Sequence, residues 1–311
     1  MRLLSQSLIN GFFVLKESQK LLESDLKKYN FASKIVLKNN DKNFVMSFKV
    51  NFFTILMLSL LLESKIDKNR CVLYGKIILL IRQIVTSVDN VLDKERKGII
   101  FIEGLSNLVV ENAMMTLICQ NILTEDIIHL ERKEKIGNLN NRLLDKIYSI
   151  ANGENLRRRN LYDRYPSMSY IETNIHHYIG GELLDISLFI PSLVEKNEKL
   201  ELFSKGLFKI GMSLQGLDDF FDMKEDFENE DINLATSEYI ELFSIKENEI
   251  NFENIDSKFT KNYIERIISL AYEGFELLKS GGYPIDRSTG RFVLKKLFIL
   301  RGLKDYVHYI K

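Results

Sequence analysis

The chain has 311 residues, 45% of them hydrophobic, which is enough for a large core. Lysine plus arginine (43) balances aspartate plus glutamate (43), excluding a whole-molecule field that would draw the protein to nucleic acid or an acidic membrane, so any anion site is local. With only 3 prolines and 16 glycines among abundant Leu, Ile, Lys, Glu and Phe, the composition points to one all-α domain over residues 1–311.

In chain order, residues 3–30 alternate apolar and charged positions at helical spacing, and 37–44 form a polar connector. Helices are predicted over 45–65 and 70–94. The greasiest stretch, Phe52 to Leu62, is too short to cross a bilayer, and Val72 to Val85 is broken by Lys76 and Arg82, so both read as core helices and no transmembrane segment is expected. The second helix ends in Asp93-Lys-Glu-Arg-Lys-Gly98, with cations in the last turn and Gly98 where a left-handed cap would sit. Two more helices are predicted over 102–122 and 124–151, then a loop over 152–169. A helix over 169–195 carries Gly180-Gly181 in its interior, at roughly 1 kcal/mol each relative to alanine. Such a break either lets another backbone approach or unwinds a turn and exposes carbonyl oxygens. A helix over 197–228 follows, then a weakly structured acidic stretch over 229–256, then an amphipathic helix over 257–280 stopped by Gly281-Gly282 and Pro284. Cys71 and Cys119 lie in apolar segments without metal spacing, as buried reduced thiols would, and the N-terminal residues do not form a convincing secretory signal. A cytoplasmic setting is expected.

The most informative segment is Gly211-Met-Ser-Leu-Gln-Gly-Leu-Asp-Asp-Phe-Phe-Asp-Met-Lys-Glu-Asp226. Neighbours three and four apart share a helix face, so Gln215, Asp218, Asp222 and Asp226 form one stripe, with acids closer than their repulsion allows without cations. Around the stripe the helix is almost wholly apolar, and buried carboxylates need pairing or coordination. Asp89 and Asp93 repeat the spacing on another apolar helix, with Asn90 between them. Two acidic clusters suggest a divalent metal site, Mg²⁺ being the usual partner of carboxylate oxygens and waters. A solvated acidic face is the alternative.

This pairing of Asp-rich helices resembles the class I isoprenoid synthase superfamily, in which two facing motifs hold Mg²⁺ and the diphosphate of a prenyl substrate at the mouth of an apolar helical cavity. Asp89, Asn90 and Asp93 match its first motif, with asparagine in place of the frequent second aspartate. Gly211, Gln215, Asp218, Asp219 and Asp222 resemble the second motif of chain-elongating prenyl diphosphate synthases. Gln215, Asp222, Glu225 and Asp226 resemble that of squalene and phytoene synthases, and Asp218, Asp222 and Asp226 have the spacing of the terpene cyclase ligands. No counterpart of the isopentenyl-diphosphate-binding Gly-Gly-Lys segment of elongating synthases is present.

The resemblance implies a single-domain bundle of about ten or more helices around an apolar cavity. It also implies about three Mg²⁺ ions bound with diphosphate. Asp89, Asp93, Asp218 and Asp222 are the catalytic candidates. Asn90, Asp219 and Asp226 join them as metal candidates. Gln215, Tyr178, Gly180, Gly181, Phe220, Arg301 and Tyr306 are the substrate-binding candidates. The expected activity is ionisation of an allylic prenyl diphosphate to a cyclised or eliminated terpene. Head-to-head joining of two prenyl diphosphates is the alternative within the superfamily, and a non-catalytic lipid-binding or partner subunit the alternative outside it. A homodimer is compatible with the resemblance. His176 and His177 read as core or cavity-wall residues, and Arg157-Arg158-Arg159 as a solvated run or a diphosphate clamp.

Overall fold

A computed structural model describes residues 2–38, 44–94, 96–300 and 304–310. Its helices and strands, in order, are α1 Arg2–Leu26, β1 Ile35–Leu37, α2 Phe44–Val50, α3 Phe52–Glu63, α4 Lys68–Asp93, β2 Ile100–Ile102, α5 Leu108–Glu134, α6 Leu139–Asn155, α7 Met168–Ile171, α8 Leu183–Glu195, α9 Glu198–Phe221, α10 Met223–Glu228, α11 Leu234–Phe243, α12 Ser257–Ser280 and α13 Arg287–Leu300. A π-helix, Glu172–Glu182, joins α7 to α8. The chain forms two compact units, one from residues 2–142 with 190–200, the other from 143–189 with 201–311.

In the first unit α3 is buried from Thr54 to Leu61, as a run broken only by Thr54 and Ser59 requires, and each fully buried Leu or Ile there contributes about 1.5–3 kcal/mol. Its neighbour α4 is long and apolar enough over Lys68–Leu92 to cross a membrane, yet two thirds (67%) of its most apolar window is buried within the fold. Lys76, inside that helix, is held by Asp25 at 2.5 Å and Asp126 at 2.7 Å, which is how a buried ammonium is tolerated. Cys71 and Cys119 are free and buried, and burial pushes both thiols up to about 12, so they are inert neutral side chains.

The structure departs from the sequence reading in five places. Antiparallel β1 and β2, in register Ile35↔Ile102, occupy short apolar runs between the predicted helices, with Ile102 alone at the start of one. The division expected at residue 123 falls instead between α5 and α6, where Lys135 and Asn138 adopt left-handed φ of 54° and 68°. The left-handed cap of α4 is Lys94 (φ 56°), not Gly98, whose own φ of 131° serves the loop that follows. Helix α11 occupies part of the stretch read as weakly structured, its first turn capped by the Asn233 side chain on the N–H of Thr236. Finally, the helix expected over 197–228 breaks at Asp222, between α9 and α10.

Candidate functional site

In the second unit the C-terminal half of α9 is clamped on two sides. Toward α12, Phe220 stacks on Tyr263 (5.7 Å, 27°) and the Tyr263 hydroxyl donates to the Gly216 carbonyl at 2.9 Å. Toward the π-helix, backbone meets backbone: a Cβ on Gly211 would lie 2.1 Å from the Gly180 carbonyl oxygen, and one on Gly180 would lie 2.9 Å from Gln215 Cβ. A ring edge of Phe208 fills the space where Gly181 would carry its Cβ. The close approach of another helix is the packing reading of the glycine pair, and the segment that carries it is a continuous π-helix, wound wider than α.

The approach brings His176 onto the motif. His176 Nε2 stands 2.9 Å from Asp219 Oδ2, and both side chains are 2% exposed. Asp219 also accepts the Leu234 N–H on Oδ2 at 2.5 Å and Gln215 Nε2 on Oδ1 at 2.9 Å, while its backbone carbonyl accepts Asn233 Nδ2 at 2.6 Å. Burial alone would raise the Asp219 pKa, but His176, the Arg157 charge and the Leu234 N–H outweigh it and hold the carboxyl below its ordinary value. An ionised carboxylate makes His176 Nε2 the donor of the pair.

The bend at Asp222 turns the rest of the acidic stripe. Asp226 comes inward, 7% exposed, to accept Asn233 Nδ2 at 2.7 Å and an Arg157 guanidinium nitrogen at 3.3 Å. Burial pushes its carboxyl up to about 7 against the opposing pull of Arg157. Asn233 is fixed in turn by Tyr165, whose hydroxyl accepts the Asn233 N–H at 2.8 Å and donates to its carbonyl at 3.3 Å. Tyr165 also lines an open cleft of about 770 Å³ together with Tyr162, Pro166, Tyr170, Ser237 and Ile240. The three consecutive arginines are all ion-paired, Arg158 at the surface and Arg157 and Arg159 half-buried. Arg157 pairs with Asp226 and Glu154, Arg158 with Asp231 at 2.9 Å, and Arg159 makes two 2.8 Å bonds to Glu247.

The expected metal residues therefore separate into two groups. Asp218 is half-buried and Asp222 exposed, whereas Asp219 and Asp226 are turned into the hydrogen-bonded interior. Mg²⁺ keeps several waters in a near-octahedral shell, whereas the expected metal residues Asp219 and Asp226 are buried and already accept bonds from His176, Leu234, Gln215, Asn233 and Arg157. On α4, Asp89 is exposed, but Asn90 is 2% exposed and brackets Lys97, accepting its N–H at 2.9 Å and donating to its carbonyl at 2.7 Å. That side chain is a loop staple rather than a ligand. Asp93 is the last residue of α4, its side chain outside the described residues, as is Arg301. Among the described residues no three His, Cys, Asp or Glu side chains are drawn together as a ready-made metal cage.

Of the substrate-binding candidates, Phe220 and Tyr306 meet, with ring centres 5.8 Å apart, and Tyr306 also touches Phe221 at 5.2 Å. Tyr178 is half-buried against His177 (4.8 Å). Sequence reasoning named His176 and Arg157 but not the carboxylates they serve, and it missed Tyr165 and the bonds that Asn233 makes. Only the Asn-Leu-Ala-Thr start of α11, a helix-cap signature, could have marked one of them.

No protein-family model matches this sequence, and no curated protein does. Among solved structures, a decaprenyl diphosphate synthase from Rhodobacter capsulatus is similar over 99% of this chain and 97% of its own, with a TM-score of 0.55 at 14% identity. A geranylgeranyl pyrophosphate synthetase from the archaeon Geoglobus acetivorans matches over 96% and 99%, with a TM-score of 0.49 at 15% identity. The likeness to the decaprenyl diphosphate synthase is one of fold: this chain has the all-α isoprenoid synthase fold.

Proposed function

We propose that residues 1–311 act as a single-domain, Mg²⁺-dependent enzyme that ionises an allylic prenyl diphosphate and releases diphosphate. The observation that carries this reading is the division of the α9 motif. Asp218 and Asp222 stay accessible at the end of a helix whose backbone is held by the buried Asp219 hub. Rigid support beneath accessible carboxylates is what a charged leaving group and its cations require. Asp218 and Asp222 offer hard oxygens, which suit Mg²⁺, and the resemblance also gives Asp89 and Asp93 as metal residues. Bound there, Mg²⁺ would neutralise the diphosphate and make it a better leaving group. Gln215, its amide oriented by Asp219, would position diphosphate or water, and the ring faces of Phe220, Phe221 and Tyr306 would stabilise an allylic cation. The substrate class is also that named for the decaprenyl diphosphate synthase of similar fold. A cytosolic setting, with a homodimer as one assembly, goes with this reading.

Two product classes follow from the sequence, and the carbon count of the product separates them. A cyclase-like metal triad needs Asp226 as its third ligand, and Asp226 is committed to Arg157 and Asn233. The squalene- and phytoene-like motif contains Asp226 as well, so prenyl transfer is favoured over cyclisation or elimination by the decaprenyl diphosphate synthase of similar fold and not by this pairing. The test is diphosphate release from the full chain with Mg²⁺ and C10 to C25 prenyl diphosphates, with products extracted for mass spectrometry. A carbon count above that of the substrate supports transfer, and an unchanged count returns the cyclised or eliminated terpene. Absence of release at every chain length would refute catalysis and leave a lipid-binding or partner subunit.

A further inference from the structure

The acids at the base of the motif are neutralised from within the chain. Arg157 sits beside Asp226 at 3.3 Å and Glu154 at 3.5 Å, and its position is set by backbone rather than by side-chain chance. The Ile232 N–H donates to the Arg157 carbonyl at 2.5 Å, the Arg159 N–H donates to the Glu230 carbonyl at 2.8 Å, and Arg158 pairs with Asp231 as an antiparallel bridge. This short ladder ties the arginine loop to the segment that follows α10 and delivers one guanidinium to the interior. Asn233 Nδ2 supplies the second donor to Asp226, and His176 serves Asp219. A guanidinium is permanently charged, and its planar donors match carboxylates, so it holds such a position without the hydration shell that Mg²⁺ retains.

We propose that Arg157 is a resident cation of the acidic constellation, standing where a divalent ion would otherwise be needed at Asp226, so that the α9 segment binds metal through Asp218 and Asp222 and not through Asp219 or Asp226. The inference rests on the metal-dependent reading above and deepens it. It makes Arg157 a positioning residue, and it makes the metal requirement of this motif smaller than its acid content suggests.

The probe is Mn²⁺, alone and with inorganic diphosphate, titrated into the full chain and followed by the electron paramagnetic resonance signal of the free ion. The expected result is that Asp226→Asn keeps Mn²⁺ affinity within about twofold of the native chain, while Asp222→Asn lowers it at least about tenfold. A second arm uses a chain already carrying Asp218→Asn and Asp222→Asn. Adding Arg157→Gln to it should create a Mn²⁺-dependent rise in melting temperature that the parent lacks, because the buried acids then need an external cation. A tenfold loss in Asp226→Asn alongside the loss in Asp222→Asn would overturn this inference and leave the metal-dependent reading standing. No Mn²⁺ uptake by the native chain in either condition would overturn both. A folded Arg157→Gln chain without the Mn²⁺-dependent rise would also overturn the inference, and should that chain fail to fold, the Asp226→Asn titration decides alone.

Discussion

Replacing Asp219 by leucine and by asparagine should separate its role as hydrogen-bond hub from its charge. Leucine keeps the branching, with bulkier methyls in place of the oxygens, and strands the donors aimed at the carboxylate: His176 Nε2, the Leu234 N–H and the Gln215 amide. Gln215 is half-buried and can turn to water, which leaves two buried donors at about 1–3 kcal/mol each, or about 4 kcal/mol in all. Asparagine keeps one oxygen for His176 and Leu234, and Gln215 can rotate to present its own oxygen, so only the charge assistance is lost, about 1–2 kcal/mol. The gap of at least about 2 kcal/mol corresponds to several degrees of melting temperature for a chain of this size. Differential scanning fluorimetry at neutral pH measures it. The pH dependence adds a second check. Asp219 titrates below its unfolded value of 3.8 in the fold, so its contribution is present above that pH and lost as the solution is acidified through and below it. The difference between native chain and Asp219→Asn should therefore shrink at low pH. If the two variants melt within about 1 °C of each other at neutral pH, the hub argument is wrong.

Other outcomes follow from the same geometry. Gly211→Ala forces a methyl to within 2.1 Å of the Gly180 carbonyl oxygen, and since neither backbone can yield cheaply it should cost about 3 kcal/mol in urea denaturation. Asp222→Ala, at an exposed position in an acidic cluster, should abolish diphosphate release while leaving the melting temperature unchanged or slightly raised; retained turnover would sink the mechanism. Tyr165→Phe removes both bonds to Asn233 and should cost about 1–2 kcal/mol, seen as faster amide exchange at the start of α11. Asp226 has the opposite linkage to Asp219. Its folded pKa of about 7 lies above the unfolded 3.8, so in metal-free buffer its contribution is present at low pH and is lost as pH rises toward 7. Asp226→Asn should flatten that decline, and a parallel pH profile would refute the assignment.

Much of the architecture could be read from residue periodicity, because helix-forming residues run long between few breakers. The strongly apolar Phe52–Leu62 became a buried helix, and the 257–280 helix matches α12 to the residue because glycines and a proline follow it. What failed were features set by tertiary contact. Three-residue strands carry too little pattern to compete with helix periodicity. Lys94 and Lys135 accept left-handed conformations that glycine would be expected to take. At the candidate site the acids were legible and their partners were not. Arg157 and Asp226 are 69 positions apart, and His176 and Asp219 43 apart, distances over which a single sequence carries no pairing signal.

The break at Asp222 decides what the motif can do. On an unbroken helix, with about 100° per residue, Asp218, Asp222 and Asp226 would fan across less than a quarter of the circumference and present three carboxylates to one cation site. Hydrogen bonding continues through the break, with the Asp222 N–H on the Asp218 carbonyl at 2.9 Å and the Asp226 N–H on the Asp222 carbonyl at 2.7 Å. The bend thus redirects the third acid without surrendering backbone bonds, and the cost of turning it inward is offset by Arg157 and Asn233. Asp219, one residue from the outward face, is carried inward by helix geometry alone and needs His176 for the same reason. Each inward acid has its own protein donor set, so the repulsion that five acids in nine residues would generate is reduced before any cation arrives. Counting acids in this motif therefore overstates its metal ligands, and the donors packed against each acid are the better guide to which carboxylates remain for chemistry.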